Sequence, residues 1–283
     1  MTATLVRSAS ADGKIVVEYD DDAHAYYLRA PDLGRIPSVT GILGIFDKPA
    51  LKGWAASETI KGVATLHRRG CKGAREDHAT FSDPRRLGAK LSEERLTFRH
   101  TTSNAAERGT AVHKAVEAWV QEGRIPLARD FAPSTRNYVL AFGAWLQAHE
   151  PRFESSEVIV ASAQYRYAGT YDARVAVTKR CGVKSCGCAR IDLGAVGRID
   201  YKTSKRVYPF EHFAQLDGYE VAAREMGEPL APWRGVLRLG ADGAFEFVVS
   251  PVAFGVFVPL LEAYQVKRRI EATCKGGRNV RQG

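Results

Sequence analysis

Apolar residues recur along the chain with two different periods, and the changes of period mark out its elements. Near the N-terminus, residues 15–19 and 26–29 read as short strands around the acidic turn Asp20-Asp21-Asp22. Ser38 is placed to cap an apolar helical turn over 39–46, and Pro49 to open a second helix through Trp54. Residues 66–100 are polar, basic and weakly periodic, which suits a mobile or partly helical insertion. From about Asn104 to Gln121, Ala105, Val112, Ala115, Val116, Trp119 and Val120 form a helical stripe that Gly123 closes. A second helix is expected over about 134–149. Three apolar runs follow, at 158–163, 171–177 and 189–201, and read as a β-meander whose last run breaks at Gly194 or Gly197. A helix over 209–226 comes next. A hairpin of 236–239 and 245–249 then turns at Ala241-Asp242-Gly243, and a terminal helix runs from Ser250-Pro251 to about Ile270. This order predicts an α/β fold with a mixed sheet flanked by helices.

Charge changes the picture more than composition does. The chain has 283 residues and a net charge of +9. Residues 66–100 carry nine Lys/Arg against five Asp/Glu, and residues 266–283 carry six against one, so these two segments hold the whole excess. Concentrated positive charge on a neutral body suits a polyanionic partner, because each neutralised phosphate releases condensed counterions. The alternative is a solvated basic face and a frayed tail. No run approaches the roughly 20 apolar residues of a membrane span, and residues 1–12 lack the apolar core of a secretory signal. The expectation is a soluble, cytoplasmic protein with no membrane partner.

Several side chains have the types and spacing for chemistry. Asp200-Tyr201-Lys202 ends an apolar strand, and period two puts Asp200 and Lys202 on one face, about 7 Å apart. A surface ion pair is the plain alternative. Asp172, on the preceding strand, can be brought beside Asp200 by sheet pairing. Two converging carboxylates repel unless a cation lies between them, and hard oxygen donors favour Mg²⁺ or Mn²⁺. A turn aspartate is the alternative there. His113 lies in Arg108-Gly109-Thr110-Ala111-Val112-His113 on the long helix, with Glu117 one turn further on the same face. Gln215 and Tyr219 are a second i, i+4 pair, suited to a phosphate, a base or the lysine, or simply to a helix surface.

The order Gly-Thr-x-x-His, Gly-Thr-x-Asp, Ile-Asp-Tyr-Lys-Thr, Gln-x-x-x-Tyr resembles the RecB-like branch of the PD-(D/E)xK nuclease superfamily, and its stand-alone phage exonucleases in particular. Pro37-Ser38-Val39-Thr40, followed by Lys48-Pro49-Ala50-Leu51 and Trp54, resembles the opening of such phage proteins, so the likeness spans about 35–220. The resemblance implies a restriction-endonuclease-like core over 101–265. It would be preceded by strands, short helices and a basic insertion over 1–100 and followed by a basic tail over 266–283, the whole forming one compact domain. It also implies His113, Asp172, Asp200 and the Tyr201 carbonyl as ligands of Mg²⁺, with Mn²⁺ an alternative. Lys202 would be the catalytic lysine. Gln215 and Tyr219 match the extra motif of the branch, with Arg108, Glu117 and Glu157 in supporting or DNA-contacting roles. The implied activity is exonucleolytic hydrolysis of DNA in recombination, repair or phage DNA processing, in a bacterial or phage-infected cytoplasm. A recombinase or single-strand annealing protein is the expected companion. A structure-selective endonuclease and a non-cleaving DNA-binding protein are the alternatives.

Cys181, Cys186 and Cys188 fall in the loop before the last strand of the meander. Free thiols are the first reading. Structural zinc is the second, with Cys71, Cys274 or a histidine as a fourth ligand. The four-cysteine iron–sulfur pattern of some RecB-like nucleases is not met, because three cysteines lie inside the motif region. No Gly-x-x-x-x-Gly-Lys-Ser/Thr, Gly-x-Ser-x-Gly or His-Glu-x-x-His occurs, which disfavours a built-in helicase motor and the hydrolase classes built on the other two.

Overall fold

The computed structural model describes residues 5–31, 33–46, 49–70, 80–123, 131–250 and 255–276. Lys48, Cys71, the 71–79 part of the basic segment, Pro251 and tail residues 277–283 lie outside the described residues. The chain divides into two compact units, residues 1–45 with 112–283 and residues 46–111.

The larger unit is α/β, with one antiparallel and one mixed sheet flanked by helices. The first sheet is an antiparallel meander of β1 (Leu5–Ala9), β2 (Val16–Asp20), β3 (Ala25–Ala30) and β4 (Gly34–Ile36). The second sheet has the order β5 (Arg152–Ser162), β6 (Tyr167–Ala176), β7 (Val196–Lys202), β8 (Arg234–Leu239) and β9 (Phe245–Ser250). Its neighbours are antiparallel except β7 and β8, which run parallel. A parallel pair needs a crossover, and a helix over Pro209–Glu225 supplies it. The remaining helices of this unit are Val39–Leu43, Pro133–His149 and Phe257–Gly276. The smaller unit contains helices Pro49–Gly70 and Pro84–Glu93 and the first part of a third, Phe98–Glu122, which continues from Val112 in the larger unit. In chain order the helices are therefore α1 (Val39–Leu43), α2 (Pro49–Gly70), α3 (Pro84–Glu93), α4 (Phe98–Glu122), α5 (Pro133–His149), α6 (Pro209–Glu225) and α7 (Phe257–Gly276).

Two cores share the second sheet. One joins the first sheet, α1, α6 and α7 through Val17, Leu28, Ile42, Tyr171, Leu216 and Phe257. The other joins α4, α5 and the strands β6–β9 through Val112, Val116, Trp145, Val175, Ile199, Tyr201 and Leu237. Ile199 and Tyr201 on β7 enter this second core. Alternation therefore directs Arg198, Asp200 and Lys202 to the opposite face, where Glu220 and Gln215 of α6 meet them.

Several elements differ from the sequence expectation. α2 runs on to Gly70 rather than stopping near Trp54, while the helix at residues 84–93 agrees with the partly helical reading of 66–100. Good helix formers such as Ala, Lys, Glu and Leu extend α2 where the apolar period is weak. β5 starts at Arg152, six residues before the apolar run, because its first half is only partly buried and carries no apolar alternation. β7 begins at Val196 rather than near 189. Residues Gly187–Arg190 form a 3₁₀ turn, and Gly194 breaks the chain at φ 81°. The last helix begins at Phe257, and Ser250 closes β9 instead of opening the helix. Among the described residues, no helix is long and apolar enough to cross a membrane.

Candidate functional site

β6 and β7 pair as far as Ala173 opposite Ile199. Beyond that pair the Tyr201 N–H donates to the carboxylate of Asp172 instead of to a backbone carbonyl. The opening leaves Asp172 pointing into a space that α4 covers. His113, on the α4 segment of the larger unit, places Nδ1 3.3 Å from Asp172 Oδ1. Its Nε2 donates to the Tyr201 carbonyl at 3.2 Å, since a carbonyl oxygen only accepts. Burial opposes charge on His113, but the Asp172 carboxylate outweighs it and lifts the imidazole pKa to about 9. Burial acts against the Asp172 charge too. The His113 imidazole, Lys202 and the Tyr201 amide nevertheless hold that carboxyl below its ordinary range.

Glu157 completes the group. It lies on β5 between Ser156, which faces Ala173, and Val158, which faces Tyr171. Its φ of 49° is left-handed, a conformation that a non-glycine residue in a strand adopts at a cost of order 1–3 kcal/mol. Ligand atoms of His113, Glu157 and Asp172 lie within 4.8 Å of one another. Burial, then repulsion from Asp172, pushes the Glu157 pKa up to about 7.

Asp200 stands outside that trio and is held from the α6 side. Lys202 Nζ pairs with its Oδ2, and Gln215 Nε2 donates to its Oδ1 at 3.2 Å. Gln215 also donates to the Tyr219 hydroxyl at 2.6 Å, which uses the second hydrogen of the same amide. Burial raises the Asp200 carboxyl to about 6 in spite of Lys202. The glycine of the Gly-Thr-x-Asp motif has a local reason. A Cβ on Gly169 would sit 2.5 Å from Cε1 of Tyr219, so only glycine lets that ring pass β6. The neighbouring Thr170 hydroxyl meets the Tyr26 hydroxyl at 2.8 Å and ties the motif to the first sheet.

The fold thus gathers His113, Glu157, Asp172, Asp200, Tyr201, Lys202, Gln215 and Tyr219 around one end of β7. Glu117, one turn beyond His113, accepts from Gln121 at 2.9 Å and acts on the group through its charge, adding to the upward push on Glu157. Arg108 belongs to the smaller unit. Glu157, expected in a supporting role, is one of the three clustered donors. Its place at the head of an apolar run was the only sequence signal, since nothing local announces the left-handed backbone.

A second cluster lies on the connection between β6 and β7. His149, Cys181, Cys186 and Cys188 bring their ligand atoms within 4.8 Å of one another. The histidine left open in sequence is His149, at the end of α5, whereas Cys274 is exposed on α7. Basic charge also gathers in the larger unit. Arg35, Arg166, Arg268 and Arg269, with Tyr165 and Tyr264, line a cleft of about 530 Å³. In the smaller unit, exposed pairs such as Arg69–Glu94 and Lys90–Glu93 offset part of the positive charge.

No protein-family model matches the chain, and no curated protein matches it either.

Proposed function

We propose that the chain is a Mg²⁺-dependent deoxyribonuclease with a restriction-endonuclease-like core, of the RecB-like PD-(D/E)xK type, acting as an exonuclease on DNA ends. The observation that carries this reading is the meeting of His113, Glu157 and Asp172 beside the Asp200–Lys202 pair. Three acidic side chains converge on one lysine and one imidazole, and burial already pushes two of the carboxyls toward the protonated form. Such a site gains from a cation. The donors are carboxylate oxygens and one imidazole within 4.8 Å, a set that fits a hard divalent ion such as Mg²⁺ or Mn²⁺. His113, Glu157 and Asp172 would hold it, with Asp200 adjacent. A bound divalent ion neutralises phosphodiester charge and lowers the pKa of its water.

The chain's own residues supply the rest. Asp200 holds the Lys202 ammonium at the site, where it can orient the attacking water and offset charge gathering on the phosphate in the transition state. Gln215 keeps the Asp200 carboxylate turned toward the lysine. The arginines and tyrosines of the cleft suit a DNA backbone, with phosphate contacts giving affinity and no choice of sequence.

The test compares the wild type with Lys202→Ala on linear duplex, closed circular and single-stranded DNA, in Mg²⁺ or EDTA. Linear DNA is expected to shorten only with Mg²⁺, while circles survive. Lys202→Ala should slow cleavage by about 10²–10³ while the protein remains folded at the assay temperature. Binding of DNA by both proteins with no cleavage of any substrate would replace the nuclease reading by that of a DNA-binding protein.

A further inference from the structure

We propose that His149 Nε2 and the sulfurs of Cys181, Cys186 and Cys188 hold one zinc ion in a closed structural site, independent of the nuclease centre. The spacing supports it first. A tetrahedral zinc with Zn–S of about 2.3 Å and Zn–N of about 2.0–2.1 Å places its ligand atoms about 3.8 Å apart for two sulfurs and about 3.5 Å for nitrogen and sulfur. Here Cys181 Sγ and Cys188 Sγ are 3.6 Å apart, and His149 Nε2 and Cys186 Sγ are 3.3 Å apart. A disulfide requires about 2.05 Å, so the sulfurs are unbonded thiols at the edge length of a metal tetrahedron. An iron–sulfur cluster would spread its ligands further apart and ordinarily takes four thiolates, whereas three thiolates and one imidazole suit a single ion.

The orientation of His149 is the second support. Its Nδ1 lies 3.1 Å from the Trp145 carbonyl, which can only accept, so the hydrogen sits on Nδ1. That leaves the Nε2 lone pair aimed at the sulfurs, the arrangement in which a backbone carbonyl sets the tautomer of a metal-bound imidazole. The side chain is fully buried, and Cys186 and Cys188 are buried too.

Backbone donors and a cation lie close to the sulfurs. The backbone amides of Val183 and Cys188 face the sulfurs of Cys181 and Cys186, two residues on in each case. Three thiolates around one Zn²⁺ leave a single negative charge, and the Arg180 guanidinium is nearby, donating to the carbonyls of Cys188 and of Ile191, the latter at 2.9 Å. Gly187 fits because a Cβ there would lie 2.5 Å from Val249 Cγ2, so the turn is pressed onto β9. The ion would clasp the end of α5 to the connection between β6 and β7, the strands that carry Asp172 and Asp200.

Metal analysis of the purified full chain under reducing conditions should find about one zinc per chain. An Asp172→Asn/Asp200→Asn variant should keep that zinc, while Cys181→Ser, at the least buried of the three cysteines, should lose it. Protein refolded with Co²⁺ should show thiolate-to-cobalt charge transfer and tetrahedral visible bands, which needs no variant to fold. Zinc that leaves with the aspartates and stays in Cys181→Ser would overturn the assignment. So would zinc well below one per chain in the wild type, a Cys181–Cys188 disulfide in peptide mass spectra, or several irons per chain.

Discussion

Arg198 and Asp200 are next-but-one neighbours on the same face of β7, and their surroundings differ sharply. The Arg198 guanidinium is fully buried, pairs with Glu220, lies 3.0 Å from Glu228 and rests 4.6 Å from the Tyr171 ring centroid. Arg174 reaches Glu228 at 3.4 Å, and Arg234 lies 3.7 Å from Glu220 and 4.0 Å from Asp217. Three arginines therefore meet three carboxylates inside the network, with the more exposed Glu154 3.4 Å from Arg174 at its rim. Further donors come from Tyr171 to Glu228, from the Ala231 amide to Glu220 and from the Val256 amide to Asp217. Two residues along the strand, Asp200 lies beside Asp172 and Glu157, with Lys202 and His113 in opposition among the described residues. The first cluster sets a guanidinium against each buried carboxylate, whereas the second leaves carboxylate charge for something else to neutralise. Burial alone therefore does not mark a site. The mismatch between buried charge and its partners does.

The largest effect should come from breaking the balanced cluster. Arg198→Met removes the guanidinium that Glu220 and Glu228 share and leaves Arg234 and Arg174 to oppose them, and removing one partner of a buried pair costs about 3–5 kcal/mol. For a chain of this size that lowers the melting temperature on the order of 10 °C, with or without Mg²⁺. A calorimetric scan checks it, and an unmoved midpoint would show that the network contributes nothing to stability.

A smaller, opposite effect is expected in the acidic cluster. Glu157 carries its charge with a pKa near 7, so Glu157→Gln should raise the metal-free melting temperature at pH 8 by a few degrees, equivalent to about 0.5–2 kcal/mol. At pH 5 the wild-type carboxyl is already protonated, and the substitution should change little. Equal gains at both pH values would assign the effect to packing rather than to charge.

The third effect is a slope, spread across several groups. Asp200 at about 6, Glu157 at about 7 and His113 at about 9 each bind a proton more tightly folded than unfolded. Their stabilising contribution is complete below the unfolded values and is lost as pH rises through the folded ones. Asp172 is the reverse case: its contribution is present above the ordinary carboxyl range and is lost on acidification. Urea unfolding in EDTA should therefore show stability falling from pH 5 to 9, and Mg²⁺ should flatten the decline. A decline that Mg²⁺ leaves untouched would separate these groups from cation binding.

Much of the acidic cluster was legible beforehand. Period two alone put Asp200 and Lys202 on one face, and the stripe through Val112 and Val116 set the helix that carries His113. The i, i+4 spacing of Gln215 and Tyr219 put both on one face of α6. These are properties of a single element, where 3.6-residue and two-residue periods decide which way a side chain points. The partly buried first half of β5 was not legible, because register with β6, not apolar alternation, makes it a strand. The 3₁₀ turn at Gly187–Arg190 escaped for a related reason: Val249 and Phe247 of a distant strand press on it.

What the sequence determined by itself is thus the direction of side chains within each element and the order of the motifs. Tertiary structure decided which of those side chains meet. It turned Glu157 toward Asp172, supplied His149 to the three cysteines and gave Arg198 partners that Asp200 lacks. Contacts such as His113 with Tyr201, 88 positions apart, depend on how strands pair and helices cross over them, and no local period encodes that.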